Sequence, residues 1–426
     1  MSSSRAKIKK TQNTPRNCLL EAYLVDYDHQ LNQSAALIGS NDDLLTEILL
    51  RLPAISILRF KSVSKHWRAL LSHRQFTLRY DRVSICRGLY ASFSHLYIPF
   101  DAENKSSPPL SKLDFYPDPN GIRIIQQCNG LLLCGSNVWI PRRGCRYYVF
   151  NPVTKQHVVL PMVRGGWKVR KHIRFIGLAY RQSDPVSYKV VCIFRPKRDG
   201  EVFYIQIYSS KTGEWKIANE SFSTPHYRRF GEGVYWNGAI LWPPSCLDPL
   251  YFDLNVEKFK KLPLPSASVA SLEGLDLVDI PFYFGESRGH LHLVELAHPE
   301  KHFHLNVYEM LCDHSGWFLK YQVDLDELSI TYPEMIISYA HPSFKQMKII
   351  SNQDLSSPKY YFYEVLDVVR GDKEEDTFMV VRIPSKIIRY NILDKSFKLI
   401  LDIDFKFLGR IGYNGVHRYI ETITSF

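Results

Sequence analysis

Five segments of the 426-residue chain repeat one pattern: a strand-forming run, a polar turn and a second short run. They are YYVFNPVTKQHVVLP from Tyr147, IQIYSSKTGEWKI from Ile205, LYFDLNVEKFKKLP from Leu250, LNVYEMLCDHSGWFL from Leu305 and IIRYNILDKSFKLI from Ile387. Aromatic residues mark corresponding places, 58, 44, 56 and 82 residues apart, at Phe150, Tyr208, Phe252, Tyr308 and Tyr390. The last interval is long enough to contain a degenerate unit. Such repetition predicts small sheets that bury their faces against one another.

The stretches around these segments favour an all-β domain that closes on itself. Short β-rich runs alternate with turn residues after Phe76, and Asn-Gly pairs at 120/121, 129/130, 237/238 and 414/415 suit tight type I′ hairpins. About five to seven units in a ring predict a β-propeller. The irregular spacing leaves one or two β-sandwiches as the alternative. In a closed ring, the strand HRYIETITS from His417 should share a sheet with strands near residues 80–100.

A small helical unit precedes the β domain. Residues 1–37 predict a flexible basic leader, residues 38–80 the helical unit and residues 81–426 the β domain. Ser40 with Asp43 fits a capping box for the first helix, which ends at Pro53. Ser56 and Ser64 are the expected N-caps of a second and a third helix. The sequence therefore predicts three short helices.

These helices carry more apolar side chains than they can bury on one another. A unit of about 36 residues falls below the size of roughly 40 residues at which a single core usually stands alone. Its surplus apolar surface must meet the β domain, another protein or DNA. DNA is the weakest of the three, because SKHWRALL offers few polar side chains for base edges.

Composition excludes several classes of protein. The chain is 45% hydrophobic and 23% charged, which is typical of a folded protein, and its net charge of +11 is spread thinly. The eight cysteines form no CxxC pair, so we expect buried, reduced thiols. No run approaches the roughly 18 apolar residues of a membrane span, and the first residues lack the apolar core of a secretory signal. We expect a protein of the cytoplasm, the nucleus or both, without a membrane or nucleic-acid partner.

The sequence holds no recognisable catalytic constellation. It contains no GxxxxGK[ST], GxGxxG or HExxH pattern. His290 with His292, and His302 with His304, have the period of one strand face, but without a cysteine or placed carboxylate nearby they are interpreted as a polar outer face. The acidic run at 372–376 is interpreted as a solvated loop. We therefore predict no cofactor, no metal and no enzymatic activity.

The stretch NDDLLTEILLRLPAISILRFKSVSKHWRALL, residues 41–71, resembles the F-box of plant F-box proteins, whose pattern is LPDDLLxEILxRLPxxSLLRFxxVSKxWRxLI. One departure concerns the opening Leu-Pro pair, which is Ser40-Asn41 here and removes a hydrophobic contact. Leu37 and Ile38, just upstream, are candidates to replace that apolar area.

The resemblance implies docking on the SKP adaptor of a cullin-type ubiquitin ligase. The residues that would contact the adaptor are Leu44, Leu45, Ile48, Leu49, Leu52, Pro53, Leu58, Val63 and Trp67. The β-rich part resembles the kelch-like F-box associated domain of the same proteins in QQCNGLLLC, FNPVTKQHVVLP, GVYWNGAILW and HRYIETITS. The implied function is a substrate-recognition subunit that recruits a protein for ubiquitination. The alternative is a protein-binding scaffold that carries an F-box without a role in ubiquitination.

The loop MVRGGWKVRKH, residues 162–172, is the candidate substrate contact. It offers Trp167 as an aromatic anchor, with Arg164 and Arg170 beside it, a composition suited to an acidic protein surface. The structural alternative is that Trp167 covers the edge of a β unit.

Overall fold

The computed structural model describes residues 35–84, 86–91, 96–100, 121–136, 146–181, 187–196, 201–218, 221–223, 230–231, 233–243, 249–265, 283–298, 301–337, 360–402 and 415–424. The chain divides into two units, Met1–Arg79 and Tyr80–Phe426. The division lies next to the expected boundary at residue 80. Each unit is described by itself.

The helical unit contains α1 (Asp42–Leu49), α2 (Ala54–Phe60) and α3 (Lys65–Ser72), and residues 35–40 are also helical. A further helix, α4 (Arg74–Val83), contains the division between the units. The prediction of three helices therefore missed two helical segments. Residues 74–83 have a low mean hydropathy, and their apolar positions are too few to stand out from a turn.

Two of the three predicted N-caps are wrong. Asn41 caps α1, because its side-chain oxygen accepts from the backbone N–H groups of Asp43 and Leu44 at 3.1 and 3.0 Å. Ser40 instead donates to the Leu37 carbonyl. Helix α2 begins directly after Pro53, three residues earlier than predicted, which places Ser56 inside it. The third cap is confirmed, since the Ser64 hydroxyl accepts from the Trp67 N–H at 3.0 Å.

The β unit is a six-bladed β-propeller. It begins with β1 (Cys86–Ala91) and β2 (Leu96–Pro99). Blade 1 follows with β3 (Ile122–Cys128), β4 (Leu131–Ser136), β5 (Tyr147–Phe150) and β6 (His157–Val159). The helix α5 (Gly166–Arg170) leads to blade 2. Blade 2 holds β7 (Ile173–Tyr180), β8 (Tyr188–Phe194), β9 (Val202–Ser209) and β10 (Glu214–Ile217). A short strand, β11 (Phe222–Ser223), pairs with β9 at the rim of blade 2.

Three more four-stranded blades complete the middle of the ring. Blade 3 holds β12 (Val234–Trp236), β13 (Ala239–Leu241), β14 (Leu250–Asp253) and β15 (Lys258–Lys261). Blade 4 holds β16 (Tyr283–Ser287), β17 (His290–Leu296), β18 (His304–Met310) and β19 (Trp317–Asp324). After α6 (Asp326–Thr331) and the pair β20 (Ile336–Ile337) and β21 (Tyr360–Tyr361), blade 5 holds β22 (Glu364–Val369), β23 (Phe378–Ile383), β24 (Lys386–Asn391) and β25 (Phe397–Asp402).

The sequence repeat is confirmed in detail. Each of the five segments forms the third and fourth strands of one blade, and each marker aromatic lies on a third strand, opposite a residue of the fourth. The long interval before Tyr390 contains no further blade among its described residues. Between β19 and β22 these residues form α6, a short 3-10 helix and the pair β20–β21. The extra length is an insertion between blades 4 and 5.

Blade 6 closes the ring. It is built from β2, β1 and the strand β26 (Val416–Ile420), which pairs antiparallel with β1. This confirms the prediction that HRYIETITS shares a sheet with early strands. Five apolar clusters fill the spaces between neighbouring blades, from blades 1 and 2 round to blades 5 and 6. The core therefore lies between the sheets, as in stacked repeat units.

The segment after β26 is held by three buried polar side chains. The Asn151 amide donates to the carbonyls of Thr422 and Thr424 at 3.1 and 2.7 Å. The Asp81 carboxylate accepts from both threonine hydroxyls at 3.0 Å, and the Tyr180 hydroxyl lies 3.0 Å from that of Thr424. These bonds satisfy polar groups that burial would otherwise leave without a partner.

Turns and cysteines largely follow expectation. Asn129-Gly130 and Asn237-Gly238 both have the two positive φ angles of a type I′ turn. Asn120 and Asn414 lie outside the described residues.

Of the described cysteines, Cys128, Cys134 and Cys192 are buried, Cys86 is half-buried and Cys312 is exposed, and all five are free thiols. The expectation of buried thiols is wrong for Cys312, which lies in the turn after β18.

Candidate interaction surfaces

Helix α1 presents an apolar row to solvent. Leu44 and Ile48, one turn apart, are 51% and 47% exposed. Val63, in the turn that follows α2, is 60% exposed. Residues four apart lie on the same helix face, so Leu44 and Ile48 form one continuous apolar strip. Large apolar side chains exposed in this way on so small a unit form a candidate protein-binding surface.

The remaining predicted adaptor contacts are divided between surface and core. Leu52, Pro53, Leu58 and Trp67 are half-buried, and the Trp67 ring packs edge-on against Phe60 at a centroid distance of 5.3 Å. Leu45 and Leu49 are buried and offer no surface to a partner. The apolar stripe of α1 was interpreted as one face. It is wide enough to be divided between core and surface, since Leu45 and Leu49 pack inward and Leu44 and Ile48 point outward.

The two upstream residues that could replace the missing Leu-Pro contact are also exposed. Leu37 and Ile38 both present large apolar side chains to solvent on the helical segment 35–40. Asn41 caps α1 where the family pattern has proline. The departure from the pattern therefore preserves the helix start and leaves an alternative apolar surface beside it.

A cavity of about 390 Å³ occupies the centre of the propeller. Its wall is formed mainly by the first strands of blades 1 to 5 and by β26. Clefts of roughly 300–1,000 Å³ that combine an apolar wall with a few polar groups are the usual form of small-ligand sites. Two polar side chains cross this region and join the blades: Arg418, which is buried, and Gln126, which is half-buried.

Arg418 is the first bridging side chain. From β26 it donates to the Asp367 carboxylate on β22, to the Tyr283 hydroxyl on β16 at 3.0 Å and to the Glu286 carbonyl. Tyr283 in turn donates to Asp367 at 2.8 Å. One guanidinium therefore connects blades 6, 5 and 4.

Gln126 is the second bridging side chain. From β3 its amide oxygen accepts from the Leu178 N–H on β7 at 2.6 Å, and its amide nitrogen donates to the Gly233 carbonyl at 2.8 Å. A Cβ at Gly177 would lie 2.9 Å from the Gln126 oxygen and closer still to Phe175, so the path of the amide requires glycine there. Gln126 therefore connects blades 1, 2 and 3, and the two bridging side chains together join all six blades.

Arginines line one part of the cavity wall. Arg123 is the second residue of β3 and Arg174 the second residue of β7, and both line the cavity with Arg170. Gln126, fifth in β3, meets Leu178, sixth in β7, so the two strands run the same way and both arginines lie where the strands begin. The sequence analysis missed Arg123 and Arg174. The signal was present, since Ile-Arg-Ile-Ile opens β3 and Ile-Arg-Phe-Ile opens β7.

The predicted substrate loop is only partly a surface feature. Arg170 is half-buried, lies over the Tyr147 ring at 5.9 Å and lines the cavity. Arg164 is exposed and lies 4.0 Å from Glu214, while its backbone is held by both ends of the Gln206 amide. Trp167 belongs to α5, but its side chain lies outside the described residues. The structure thus joins Arg170 to the cavity and leaves Arg164 on the outside.

The histidine-rich segment differs from its interpretation as an outer face. His292 on β17 is completely buried, and burial lowers its pKa well below the usual value. His290 lies 2.6 Å from Glu309, which also binds Arg370 at 2.6 Å. His302 lies in a turn before β18, so His302 and His304 do not share a strand face. His292 is buried because β17 lies between neighbouring blades. The alternating pattern of the segment did not reveal this burial.

Two acidic groups interact with basic partners. His304, Asp324 and Asp326 bring their ligand atoms within 4.8 Å of one another, but the Lys395 ammonium lies 3.4 Å from Asp324 and already offsets its charge. In the acidic run at 372–376, Glu374 binds the Lys320 ammonium and lies 3.5 Å from Arg370. All five residues of that run are exposed, as expected of a solvated loop, and Glu374 also ties the run to blade 4.

Comparison with known proteins agrees with both units. Residues 41–79 match the F-box domain, and residues 92–278 match the F-box associated beta propeller domain. The Arabidopsis thaliana F-box protein At5g07610 is 31% identical over 87% of this chain and 87% of its own length. F-box protein At5g49610 is 31% identical over 62% of this chain and 74% of its own length, and F-box protein At4g19940 is 27% identical over 55% and 62%, both from the same plant.

A helical unit with an exposed apolar strip, followed by a propeller, defines a two-part binding protein. The chain belongs to the plant F-box protein family, in the group that carries an F-box associated β-propeller domain. Among the helices that the structure describes, none combines the length and the apolar character needed to cross a membrane.

Proposed function

We propose that the chain is a non-catalytic substrate-recognition subunit of an SKP-cullin-F-box ubiquitin ligase complex, acting in the cytoplasm, the nucleus or both. In this function the F-box unit binds the SKP adaptor, through which the cullin is recruited. The propeller holds a protein target, and other subunits transfer ubiquitin. Catalysis then depends on proximity, which raises the effective concentration of a target lysine near the carried ubiquitin.

The observation that carries the proposal is the exposed strip of Leu44 and Ile48 with Val63. Fully burying a large apolar side chain stabilises a complex by roughly 1.5–3 kcal/mol. These side chains are exposed to water in the free chain, so burying them against a partner is favourable. Half-buried Trp67 and Leu58 extend the available apolar area.

Co-expression with an SKP adaptor tests this assignment directly. The variant L44E/I48E places two charges on the strip without removing a core side chain, and it should reduce adaptor capture by more than about a hundredfold. The matched control is I330E, which alters a residue of the β unit that is 78% exposed on α6. Equal capture of both variants would contradict the assignment of the strip.

A second measurement separates the ligase subunit from the scaffold alternative. Captured complexes are probed for the cullin, and proximity labelling with the proteasome inhibited compares the intact chain with L44E/I48E. A ligase subunit should bring the cullin with the adaptor, and proteins near the propeller should accumulate only in the intact chain. An adaptor complex that never contains a cullin would favour the scaffold.

A further inference from the structure

The central cavity carries an excess of positive charge on its wall. Among the residues that the structure describes, the charged ones on this wall are Arg123, Arg170, Arg174 and Arg418, with Glu286 and Asp367 as the acidic ones. Asp367 is fully engaged by Arg418. The Glu286 carboxylate accepts from the Gly289 N–H at 2.6 Å, which ties it to the turn after β16. Within the described part of the chain, neither carboxylate forms an ion pair with the arginines at the start of β3 and β7.

Arg123 and Arg174 have no carboxylate within ion-pair distance among the residues that the structure describes. Both are exposed at the cavity wall, on neighbouring strands that start at the same end. The charge of Arg174 acts nearby: partial burial lowers the pKa of His172, and the charges of Lys171 and Arg174 lower it further. A guanidinium is suited to bind a carboxylate or phosphate with two hydrogen bonds.

The same wall offers an apolar surface beside the arginines. Ile125, Ile173, Phe175 and Phe230 line the cavity, and Phe175 and Phe230 are held by edge-on contacts with Trp242. These rings are fixed by packing, so they form a preformed wall. A volume of about 390 Å³ is enough for a ligand of one or two rings.

We propose that this cavity binds a small organic anion, whose carboxylate or phosphate is held by Arg123 and Arg174 and whose apolar body lies against Phe175 and Phe230. Such a ligand would occupy the centre of the ring and contact blades 1, 2 and 3. The site is independent of adaptor binding, which concerns the other unit. The anionic group can belong to a free metabolite or to a side chain of a docked protein.

The probe is phenyl phosphate, which has an aromatic body and an anionic head. Its binding to the full chain is measured by ligand-observed NMR and calorimetry, beside phenol, which lacks the anion, and inorganic phosphate, which lacks the body. Phenyl phosphate should bind at least tenfold more tightly than either, and its affinity should fall with rising salt. Equal binding of phenol, or no binding of phenyl phosphate, would overturn the proposal.

Variants locate the site. R123Q/R174Q should weaken phenyl phosphate binding about tenfold to a hundredfold, since each lost bond is to a charged group. K168Q/K171Q removes the same charge from exposed residues close by that do not line the cavity, and it should leave the affinity within about twofold. Gly231 lines the cavity and has open space where a side chain would stand, so G231W should block binding while the melting temperature is retained.

A peptide arm distinguishes the two sources of the anion. A short phosphotyrosine peptide is compared with phenyl phosphate on the same variants. Tighter binding of the peptide, lost in R123Q/R174Q, assigns the anion to a docked protein, and equal or weaker binding assigns it to a free molecule. If R123Q/R174Q and K168Q/K171Q bind phenyl phosphate equally, the arginines do not hold the ligand and the proposal is wrong.

Discussion

Arg418 and Asp367 form an ion pair between β26 and β22, with side chains only 8% and 3% exposed. The Arg418 Nε lies 3.0 and 2.8 Å from the two carboxylate oxygens. The pair joins the strand that closes blade 6 to the first strand of blade 5. Because both charges are withdrawn from water, each depends on the other for compensation.

Replacing Arg418 by Met should destabilise the β unit by roughly 3–5 kcal/mol, because Asp367 would remain buried without its partner. The double variant R418M/D367L removes both charges and should recover most of that loss. Chemical denaturation of the three proteins measures the effect. A double variant no more stable than R418M would show that the arginine acts through its bonds to Tyr283 and Glu286 instead.

Replacing Gln126 by Leu should cost about 1–3 kcal/mol, because the Leu178 N–H and the Gly233 carbonyl would lose their partner. The control Q322L changes an exposed glutamine of the outer strand β19 and should alter the free energy of unfolding by less than about 0.5 kcal/mol. Equal unfolding midpoints for the two variants would refute the bridging function of Gln126.

Deleting the chain from Val416 onward should abolish cooperative unfolding of the propeller. The deletion removes β26, Arg418 and the threonines that Asp81 and Asn151 hold, and leaves an edge of β1 without a partner. Circular dichroism during heating provides the measurement. A shortened protein with the full melting temperature would show that β26 is dispensable.

Stability should depend on pH through Asp81. Burial raises the pKa of Asp81 from 3.8 to about 6, although bonds from Thr424 and Thr422 oppose the shift. The folded protein therefore binds this proton more readily than the unfolded chain, so the contribution of Asp81 to stability rises as the pH falls from about 6 to about 4. The difference between the two values corresponds to roughly 3 kcal/mol.

The variant D81N isolates that contribution, since asparagine has the same shape and does not titrate. Other carboxylates destabilise the protein in acid, so the informative quantity is the wild-type free energy of unfolding minus that of D81N. This difference should increase between pH 6 and pH 4 and stay level above pH 7. A difference that is flat over the whole range would mean that Asp81 keeps an ordinary pKa.

Most of the fold was predicted from patterns of residues that lie close together in sequence. The turn at Asn237-Gly238 and the aromatic markers from Phe150 to Tyr390 depend on residues close in sequence. The turn predicted the first hairpin of blade 3, and the markers predicted the outer hairpins of blades 1 to 5. The F-box motif located the helical unit, but it did not predict that Leu45 and Leu49 face inward while Leu44 and Ile48 face outward. Helical spacing defines a stripe, and only packing decides which part of the stripe is covered.

Long-range pairings could not be predicted from spacing. Arg418 meets Asp367 51 residues away, and Gln126 meets Gly233 107 residues away. The Ile-Arg openings of β3 and β7 are alike in sequence, but their spacing along the chain does not show that Arg123 and Arg174 share a cavity wall. The burial of His292 was not predicted for the same reason. The face of a blade is covered by the neighbouring blade, whose residues lie elsewhere in the sequence.

Asp81 and Thr422, which fix the last segment of the ring, are separated by 341 residues. At a synthesis rate of roughly 5–20 residues per second, β1 leaves the ribosome roughly 20 to 70 seconds before its partner strand exists. The F-box unit is already complete during that interval. Under the proposed function, an adaptor would therefore engage the nascent chain before the propeller can hold any target. An interrupted message would then yield a protein that occupies the ligase without recruiting a target.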